Sequence, residues 1–595
     1  MQNPNFSKAA QKGWLKDLIL LTIAFSALYL GLAFMRPLAS PDEGRYSEIP
    51  MEMVRNGDYV SPTLNDMAYF YKPPLFYWLQ AASIKAFGVN RTSLRLPNSG
   101  LAILGILLTY CAARALYGRK AGIFSAAVLG TSVLYFALGE IVTLDMAVSV
   151  FIAGAMFSFI VALKRSGVWR GVLILSFFVM CAFALMTKGL IGVLIPCAVI
   201  FLYAVALGVS PFVKMLKVSD IWWSLAGAVL FIAIAAPWHV LAAIANPPYE
   251  TAEGIFSKNW EGQGFFWYYI IHEHFLRYLY PETSMRAAPW WMFIVLAPVG
   301  LIPWIVVLPQ AVWDAVKGGY KKLRAENPEF IFFGLWIFFV IAFFSISSSK
   351  LPAYIIPIYP ALGVIIGVWF AKVWDNPEAY STKAVKIIYI VLGYVAAIAP
   401  TILYAVLNHK GKLMEKAPEM LNVAVLMSVV LAVASTVVLV IFLKGRRREY
   451  WVSVFATVFV LLMFFNPLGT FIQRESAQSL VEKIAKDRRP DDAYVIAYSY
   501  NVLQDFPVWL GNTVYLIGEP PEEQKFGFMR AREKNRHRFI LDKPQFDALV
   551  DKTGGNVYVA TETSRVEHFK KNMGVKVEEL ARARNLHLFK VEKRK

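Results

Sequence analysis

The stretch Ser40–Trp78, SPDEGRYSEIPMEMVRNGDYVSPTLNDMAYFYKPPLFYW, holds six carboxylates and three basic side chains directly behind the first long apolar run of the chain. An ionisable group in a bilayer core is costly unless it faces a partner or a cavity, so the apolar run must end at a membrane surface where this stretch begins. The rest of the chain agrees. With 595 residues, 57% hydrophobic, 17% charged and a mean hydropathy of +0.50, it reads as an integral membrane protein. The net charge of +19 raises nucleic acid as a partner. The basic residues, however, recur in clusters between apolar runs, the pattern of cytoplasmic loops, and no nucleic-acid partner is expected.

Lys8, Lys12 and Lys16 precede about 18 apolar residues, enough to cross a bilayer. That run continues into Met35, Arg36 and Pro37 instead of a small-residue cleavage site, so an uncleaved anchor with a cytoplasmic amino terminus is expected. Further mainly apolar runs give about thirteen spans, near residues 18–35, 98–117, 121–139, 146–163, 171–187, 189–208, 221–244, 290–312, 330–346, 352–371, 387–407, 420–443 and 451–471. Alternate loops then gather Arg119 and Lys120; Lys164, Arg165 and Arg170; Lys214 and Lys217; Lys317, Lys321, Lys322 and Arg324; and Lys444 with Arg446, Arg447 and Arg448 on one side, as the positive-inside bias requires. The loop with Lys410, Lys412 and Lys416 is the exception. Cys111, Cys181 and Cys197 all fall in apolar runs and are expected to pack as small hydrophobes.

This topology puts two loops, 39–97 and 246–288, outside the cytoplasm, together with a polar remainder, 472–595. The remainder alternates strand-like runs (AYVIAYSY, TVYLIG, NVYVATE, LHLFKVE) with helical ones (AQSLVEKIAKD, KPQFDALVDK), which predicts a small soluble α/β domain after a transmembrane domain of residues 1–471.

Five places carry chemistry-bearing residues at the outer ends of spans. PDEGRY brings Asp42, Glu43 and Arg45 to membrane-surface depth, and the aromatic, Lys72-containing segment after it suits short helices lying in the interface. LGEIVTLDMAV holds Glu140 and Asp145 in a short turn; carboxylates converging there could act as base and orienter or bind a divalent cation. Lys188 is the one charge between Gly171 and Gly208, where a snorkelling lysine is the plain alternative. FFWYYIIHEHFLRYL places His272, Glu273, His274 and Arg277 among aromatics; the metal signal is weak because the helical HExxH spacing is absent. SSSKLPAYIIPIYPALG opens a span with Lys350 and Tyr354 beside three prolines that free backbone groups. Taken together, cations at headgroup level suit a phosphate, most naturally a lipid phosphate.

In order and nearly end to end, PDEGRYSEIPMEMVRNGDYVSPTLND, YFYKPPLFYWL, TLDMAVSVF, LMTKGLIGVLIP, HEHFLRYL and SSSKLPAYIIPIYPAL resemble the ArnT family of aminoarabinose transferases, which modify lipid A, within the wider dolichyl-phosphomannose-dependent GT-C group. The resemblance implies a polytopic α-helical GT-C fold with thirteen transmembrane helices and a periplasmic α/β domain. It also implies a bacterial inner-membrane location, an undecaprenyl-phosphate-linked sugar donor, and lipid A or another periplasmic acceptor, within a monomer surrounded by membrane lipid. By motif match, Asp42 is the principal catalytic aspartate and Asp145 the second acidic position, with Glu43 and Arg45 in the same catalytic group. Lys72, Arg277 and Tyr354, with Lys188 and Lys350, are expected around the carrier phosphate. The family often has Glu-Lys-Pro-Pro, where the glutamate joins a histidine such as His272 in holding a divalent metal; this chain has Tyr71 there, which puts a metal in doubt. The expected activity is an inverting sugar transfer, with 4-amino-4-deoxy-L-arabinose as the expected sugar. Another sugar passing to a glycan or protein hydroxyl is one alternative, and a transporter of the lipid-linked sugar, using the same cationic cavity without chemistry, is another.

Overall fold

The computed structural model describes residues 13–254, 259–276, 288–347, 349–408, 419–472, 476–485 and 487–592. Among them nine helices are long and apolar enough to cross a membrane, or eleven if each of two sharply bent helix pairs is one span, so the chain is a multi-pass membrane protein. The other two expected spans are the 17-residue helices Trp14–Leu30 and Ile191–Leu207, at the short end for crossing. The loop with Lys410, Lys412 and Lys416 lies outside the described residues.

The main departure from the expected row of straight spans is at 121–139 and 290–312. Helices Arg119–Gly130 and Val133–Glu140 meet at 64°, and Met292–Gly300 and Trp304–Val316 at 107°. Pro298 and Pro303 remove donors from the second pair, so its helix cannot continue straight. A broken helix in lipid leaves backbone groups that need partners, and the two breaks supply each other's. Val133 N donates to Ile302 O at 3.0 Å, and Trp304 Nε1 donates to Thr131 Oγ1 at 3.0 Å. The bundle is centred on Leu144–Ala162 and Pro352–Asp375, each 89% buried within the protein; Val218–Ala245 and Lys383–Val406, 17% buried, stand at the lipid side. The three cysteines are unpaired, with Cys181 buried and Cys111 and Cys197 exposed.

Charged loops pair only with loops of the same expected side. Asp17 binds Arg119 and Arg114, Asp220 binds Arg170, and Asp314 binds Lys317 and Lys372, all at ends assigned to the cytoplasm. At the opposite ends Glu43 binds Arg36 and Arg95, Asp145 binds Lys188, and Glu273 faces Lys72. No ion pair among the described residues joins the two sets.

On the side expected to be outer, helix Asp42–Asn56 leads to a two-strand hairpin, β1 (Thr63–Leu64) and β2 (Met67–Ala68), and then to helix Leu75–Phe87. The carboxyl-terminal segment adds β3 (Ala493–Ala497), β4 (Tyr515–Ile517), β5 (Phe539–Ile540), β6 (Val557–Glu562), β7 (Val577–Ala583) and β8 (Leu586–Val591), in one sheet of order β5-β4-β3-β6-β8-β7. β5, β4, β3 and β6 are parallel, while β8 runs antiparallel to both of its neighbours, β6 and β7. β5 and β7 are additional to the four strands expected. β5 is two residues long and the burial of β7 does not alternate cleanly, so neither carries a clear strand pattern.

This domain is fastened to the outer loops. Asn65 pairs with the Val514 backbone like a strand neighbour, through two bonds of 2.9 Å. Arg91 donates to Gln478 at 2.8 Å, and Arg530 donates to Tyr249 and to Pro247 O. Gly44 is required by contact, because a Cβ there would lie 2.6 Å from the Asp505 nitrogen. Asp505 is itself buried and accepts from Ser476, Ala477 and Trp509; its burial raises the carboxyl to about 6. Close by, Glu48 and Glu52 are buried side by side under Asp66, which also takes Arg55 and Arg538. Burial, with the charge of Asp66, raises Glu52 to about 7.

A carboxyl whose folded value is raised favours folding below its free value, about 4.5, and loses that contribution as pH rises through 7. The seam between helix Asp42–Asn56 and the carboxyl-terminal domain should therefore be tighter at pH 5.5 than at pH 8. Hydrogen exchange of residues 59–68 at the two pH values measures this, and Glu52→Gln should remove most of the difference.

Candidate active site

Helix Asp42–Asn56 turns out of the membrane right after Arg36, and its first turn separates two acidic neighbours. Glu43 points inward, 0% exposed. Its two oxygens accept from Arg36 (3.1 and 3.3 Å), Arg95 (2.9 and 2.8 Å), Ala39 N (2.7 Å) and Val142 N (3.1 Å). Burial pushes this carboxyl up, but the Arg95 and Arg36 guanidiniums outweigh it and hold it near 2. Every acceptor direction of Glu43 is taken, so the geometry sets it apart from the catalytic group in which the motif placed it and gives it a structural position. Arg36 also donates to Glu140 O at 2.7 Å, and Glu140 Oε2 accepts from Asn466 at 3.0 Å, which ties the last helix into the same cluster.

Asp42 points the other way. Its side chain is half exposed, at 51%, and pairs with Arg45, which is almost fully buried. Arg45 lies 4.9 Å from the Tyr46 ring, and both Asp42 and Asp145 act electrostatically on that phenol, whose ionisation burial opposes. Asp145, at the first turn of Leu144–Ala162, is paired with Lys188, the last residue of Gly167–Lys188. The Lys188 ammonium sits 4.8 Å over the Tyr354 ring and also feels Tyr46. Four expected residues, Asp42, Arg45, Asp145 and Lys188, thus act on Tyr46, to which the motif reading gave no role, and Tyr354 joins them through Lys188. Tyr46 follows Arg45 directly, but the sequence alone does not say which of its many tyrosines faces a site.

Lys72 belongs to an adjoining group. Its ammonium is 3.6 Å from Glu273, which stands on the widened, π-type helix Phe266–Leu276. Aromatic contacts join the two groups: Tyr46 to Tyr77 at 6.4 Å, Tyr69 to Tyr71 at 5.0 Å and Tyr71 to Tyr268 at 5.1 Å, with Tyr69 also acting electrostatically on Tyr46 and Tyr77. Lys350 is buried and donates to Ser347 O, closing the helix end before Tyr354. Arg277 lies outside the described residues.

His272 is stacked among Trp260, Trp267 and Tyr268. Its nearest carboxylate, Glu273, is 3.7 Å away and already faces Lys72. Among the described residues no three His, Cys, Asp or Glu groups are placed to hold a metal ion. Among the described residues, the aromatic shell of His272 and one carboxylate that a lysine already faces do not supply the several oxygen or nitrogen ligands a divalent cation needs.

The carboxyl-terminal domain completes this wall. Phe526, on helix Glu522–Arg530, is fully buried and stacks on Tyr268 with ring centroids 3.8 Å apart, and Phe70 packs on its other side at 5.7 Å. No motif in the carboxyl-terminal sequence marks this residue; only the docked domain brings it to Tyr268.

Comparison with known proteins follows the same lines. Residues 71–240 match the family described as dolichyl-phosphate-mannose-protein mannosyltransferase. Two undecaprenyl phosphate-alpha-4-amino-4-deoxy-L-arabinose arabinosyl transferases of Proteus mirabilis are each 31% identical to this chain, over 65% and 62% of its length. The matched regions span 65% and 62% of those relatives, somewhat under two thirds of each. A crystal structure of ArnT from Cupriavidus metallidurans bound to undecaprenyl phosphate has the same fold, with a TM-score of 0.75 over 97% of this chain and 98% of that one, at 23% identity.

Truncating a fully buried phenylalanine costs about 3–5 kcal/mol where the site cannot collapse. Phe526→Ala should therefore loosen the aromatic wall and speed hydrogen exchange in Phe266–Leu276, while Phe526→Leu should do so less; equal exchange in both variants and the parent would show that the domain does not support that helix.

Proposed function

We propose that this chain, which has the fold of ArnT and is similar in sequence to aminoarabinose transferases, moves a sugar, 4-amino-4-deoxy-L-arabinose, from undecaprenyl phosphate to a lipid A phosphate at the periplasmic face of the bacterial inner membrane. The observation that carries this reading is the convergence of Asp42, Arg45, Asp145 and Lys188 on Tyr46, at the membrane-surface ends of spans, with Tyr354 against Lys188 and Lys72 adjoining. The names of the relatives support the donor and the sugar.

In the proposed reaction the bond between the anomeric carbon and the carrier phosphate oxygen breaks, and the electron pair leaves with the phosphate. The acceptor oxygen forms the new bond from the opposite face. Among the described residues, Arg45 pairs with Asp42, Lys188 with Asp145, and Lys72 with Glu273. A lipid phosphate entering between them exchanges a carboxylate partner for a phosphate one, so the cations stay neutralised before and after binding. Lys188 and Lys72 then stabilise the charge that grows on the leaving phosphate, in a site screened by Tyr46, Tyr354 and the Tyr71–Tyr268 pair, where such contacts count most. Arg277 takes part by its motif position. Releasing Arg45 frees Asp42 to face the acceptor. A hydroxyl must give its proton to Asp42, a step worth about 100 to 10,000-fold. A lipid A phosphate is already largely anionic, with a second pKa of about 6, and needs only orientation.

The match of residues 71–240 to protein mannosyltransferases supports a second reading, with the same donor class and a hydroxyl acceptor. Purified protein given labelled undecaprenyl-phosphate aminoarabinose and lipid A decides between them. The proposed reading expects labelled lipid A, a loss of 100-fold or more in Lys188→Ala (about 3 kcal/mol, within the range of removed transition-state contacts), and a smaller loss in Asp42→Asn. A near-complete loss in Asp42→Asn, with label passing to a hydroxyl acceptor instead, supports the second reading. Movement of the labelled donor across vesicles with no labelled product means a transporter.

A further inference from the structure

Away from this site, the carboxyl-terminal domain contains a cavity of about 480 Å³ at the carboxyl ends of β3, β4 and β6. The chain leaves β3 to form β4 on one side and later adds β6 on the other, so the connections diverge and open a crevice at that edge. Open α/β sheets bind ligands at such points, and the volume is in the range of small-molecule sites. Tyr498, Tyr500 and Asn501 line it from the turn after β3, Glu519 from the turn after β4, and Glu562 and Arg565 from the end of β6 and the turn beyond. Two backbone features shape the rim. Tyr498 has φ 55, left-handed and unfavourable for a bulky residue, and Gly518, facing it, has φ 118, a value that requires glycine.

The lining selects the chemistry of the ligand. A nucleotide at this position is held by a glycine-rich turn and the start of a long helix. Here the turn after β3, YSYNVLQD, has no glycine and leads into a helix of five residues, Phe506–Leu510. Glu519 and Glu562 place two carboxylates against the single guanidinium of Arg565, which is 3.8 Å from Glu562, so an anion is disfavoured. Two tyrosine rings, an amide, two carboxylates and a guanidinium present flat apolar faces beside both donors and acceptors, the requirement of a hydroxyl-rich ring. We propose that this crevice is a binding site for a saccharide, neutral or amino-substituted, separate from the site around Tyr46. Pro521 lies on its wall immediately ahead of helix Glu522–Arg530, and Tyr500 accepts from Gln524 of that helix at 2.7 Å. A bound saccharide therefore rests against the base of the helix that carries Phe526 to Tyr268.

The test uses full-length protein in detergent and saturation-transfer NMR, with a glucosamine disaccharide as probe and ADP as control. Saturation of the disaccharide ring protons is expected, with little for ADP, and the signal should fall about tenfold in Glu562→Gln/Arg565→Ala, as expected for two lost charge-assisted contacts. Glu519→Gln, a more conservative change at the opposite wall, should weaken it in the same direction and keeps the test decisive if the double variant does not fold. Asp42→Asn should leave it unchanged. Full signal in folded Glu562→Gln/Arg565→Ala, or in Glu519→Gln where the double variant does not fold, loss of signal in Asp42→Asn, saturation of ADP alone, or no saturation of either compound overturns the proposal.

Discussion

The carboxylate of Glu43 and its six donor contacts are the constraint on which the outer half of the molecule depends. A buried carboxylate survives only when its charge is matched and its lone pairs are filled. Arg36 comes from the end of the first span, Arg95 from the start of another, and Val142 from the turn before Leu144–Ala162. One side chain therefore sets the spacing of three membrane segments and fixes the start of helix Asp42–Asn56. Because Asp42 and Glu43 are adjacent on that helix, the same constraint that turns Glu43 inward turns Asp42 outward, to pair with Arg45 beside Tyr46.

The carboxyl-terminal domain rests on this arrangement as a structural part of the outer face. Its backbone meets Gly44 directly, its Val514 pairs with Asn65, and its Phe526 backs Tyr268 behind Lys72 and Glu273. The domain thus meets the segments that carry both groups, at Gly44 beside Arg45 and at Tyr268 on the helix of Glu273. Buried Glu48, Glu52 and Asp505 lie along the same seam, so its electrostatics change near neutral pH.

Much of the membrane architecture was legible beforehand, because a bilayer imposes length and hydropathy on each span and charge on each loop. Among the described residues the ion pairs join loops only within one expected side. The bends at 121–139 and 290–312 were not legible, since apolar composition is the same for a helix that crosses and one that bends; Pro298 and Pro303 were visible, but the Ile302 carbonyl left by the break depends on the Val133 N–H, and the Trp304 indole on Thr131. In the site, Asp42, Arg45, Asp145, Lys188 and Tyr354 were legible as motif positions. The inward pairing of Glu43 depends on Arg36 and Arg95 and was not legible, Tyr46 stood in the PDEGRY motif without an assigned role, and Phe526 carried no signal.

The sequence by itself determined that this protein crosses a membrane many times, that its charged motifs lie at one set of span ends, and that an α/β domain follows the spans. These are local properties, fixed by apolar run length, charge placement and alternation. Only the tertiary structure decided which of two neighbouring acids faces the site, which cation each carboxylate holds, and what supports the π-type helix. Those outcomes depend on packing between segments tens to hundreds of residues apart, and no local pattern encodes the partner.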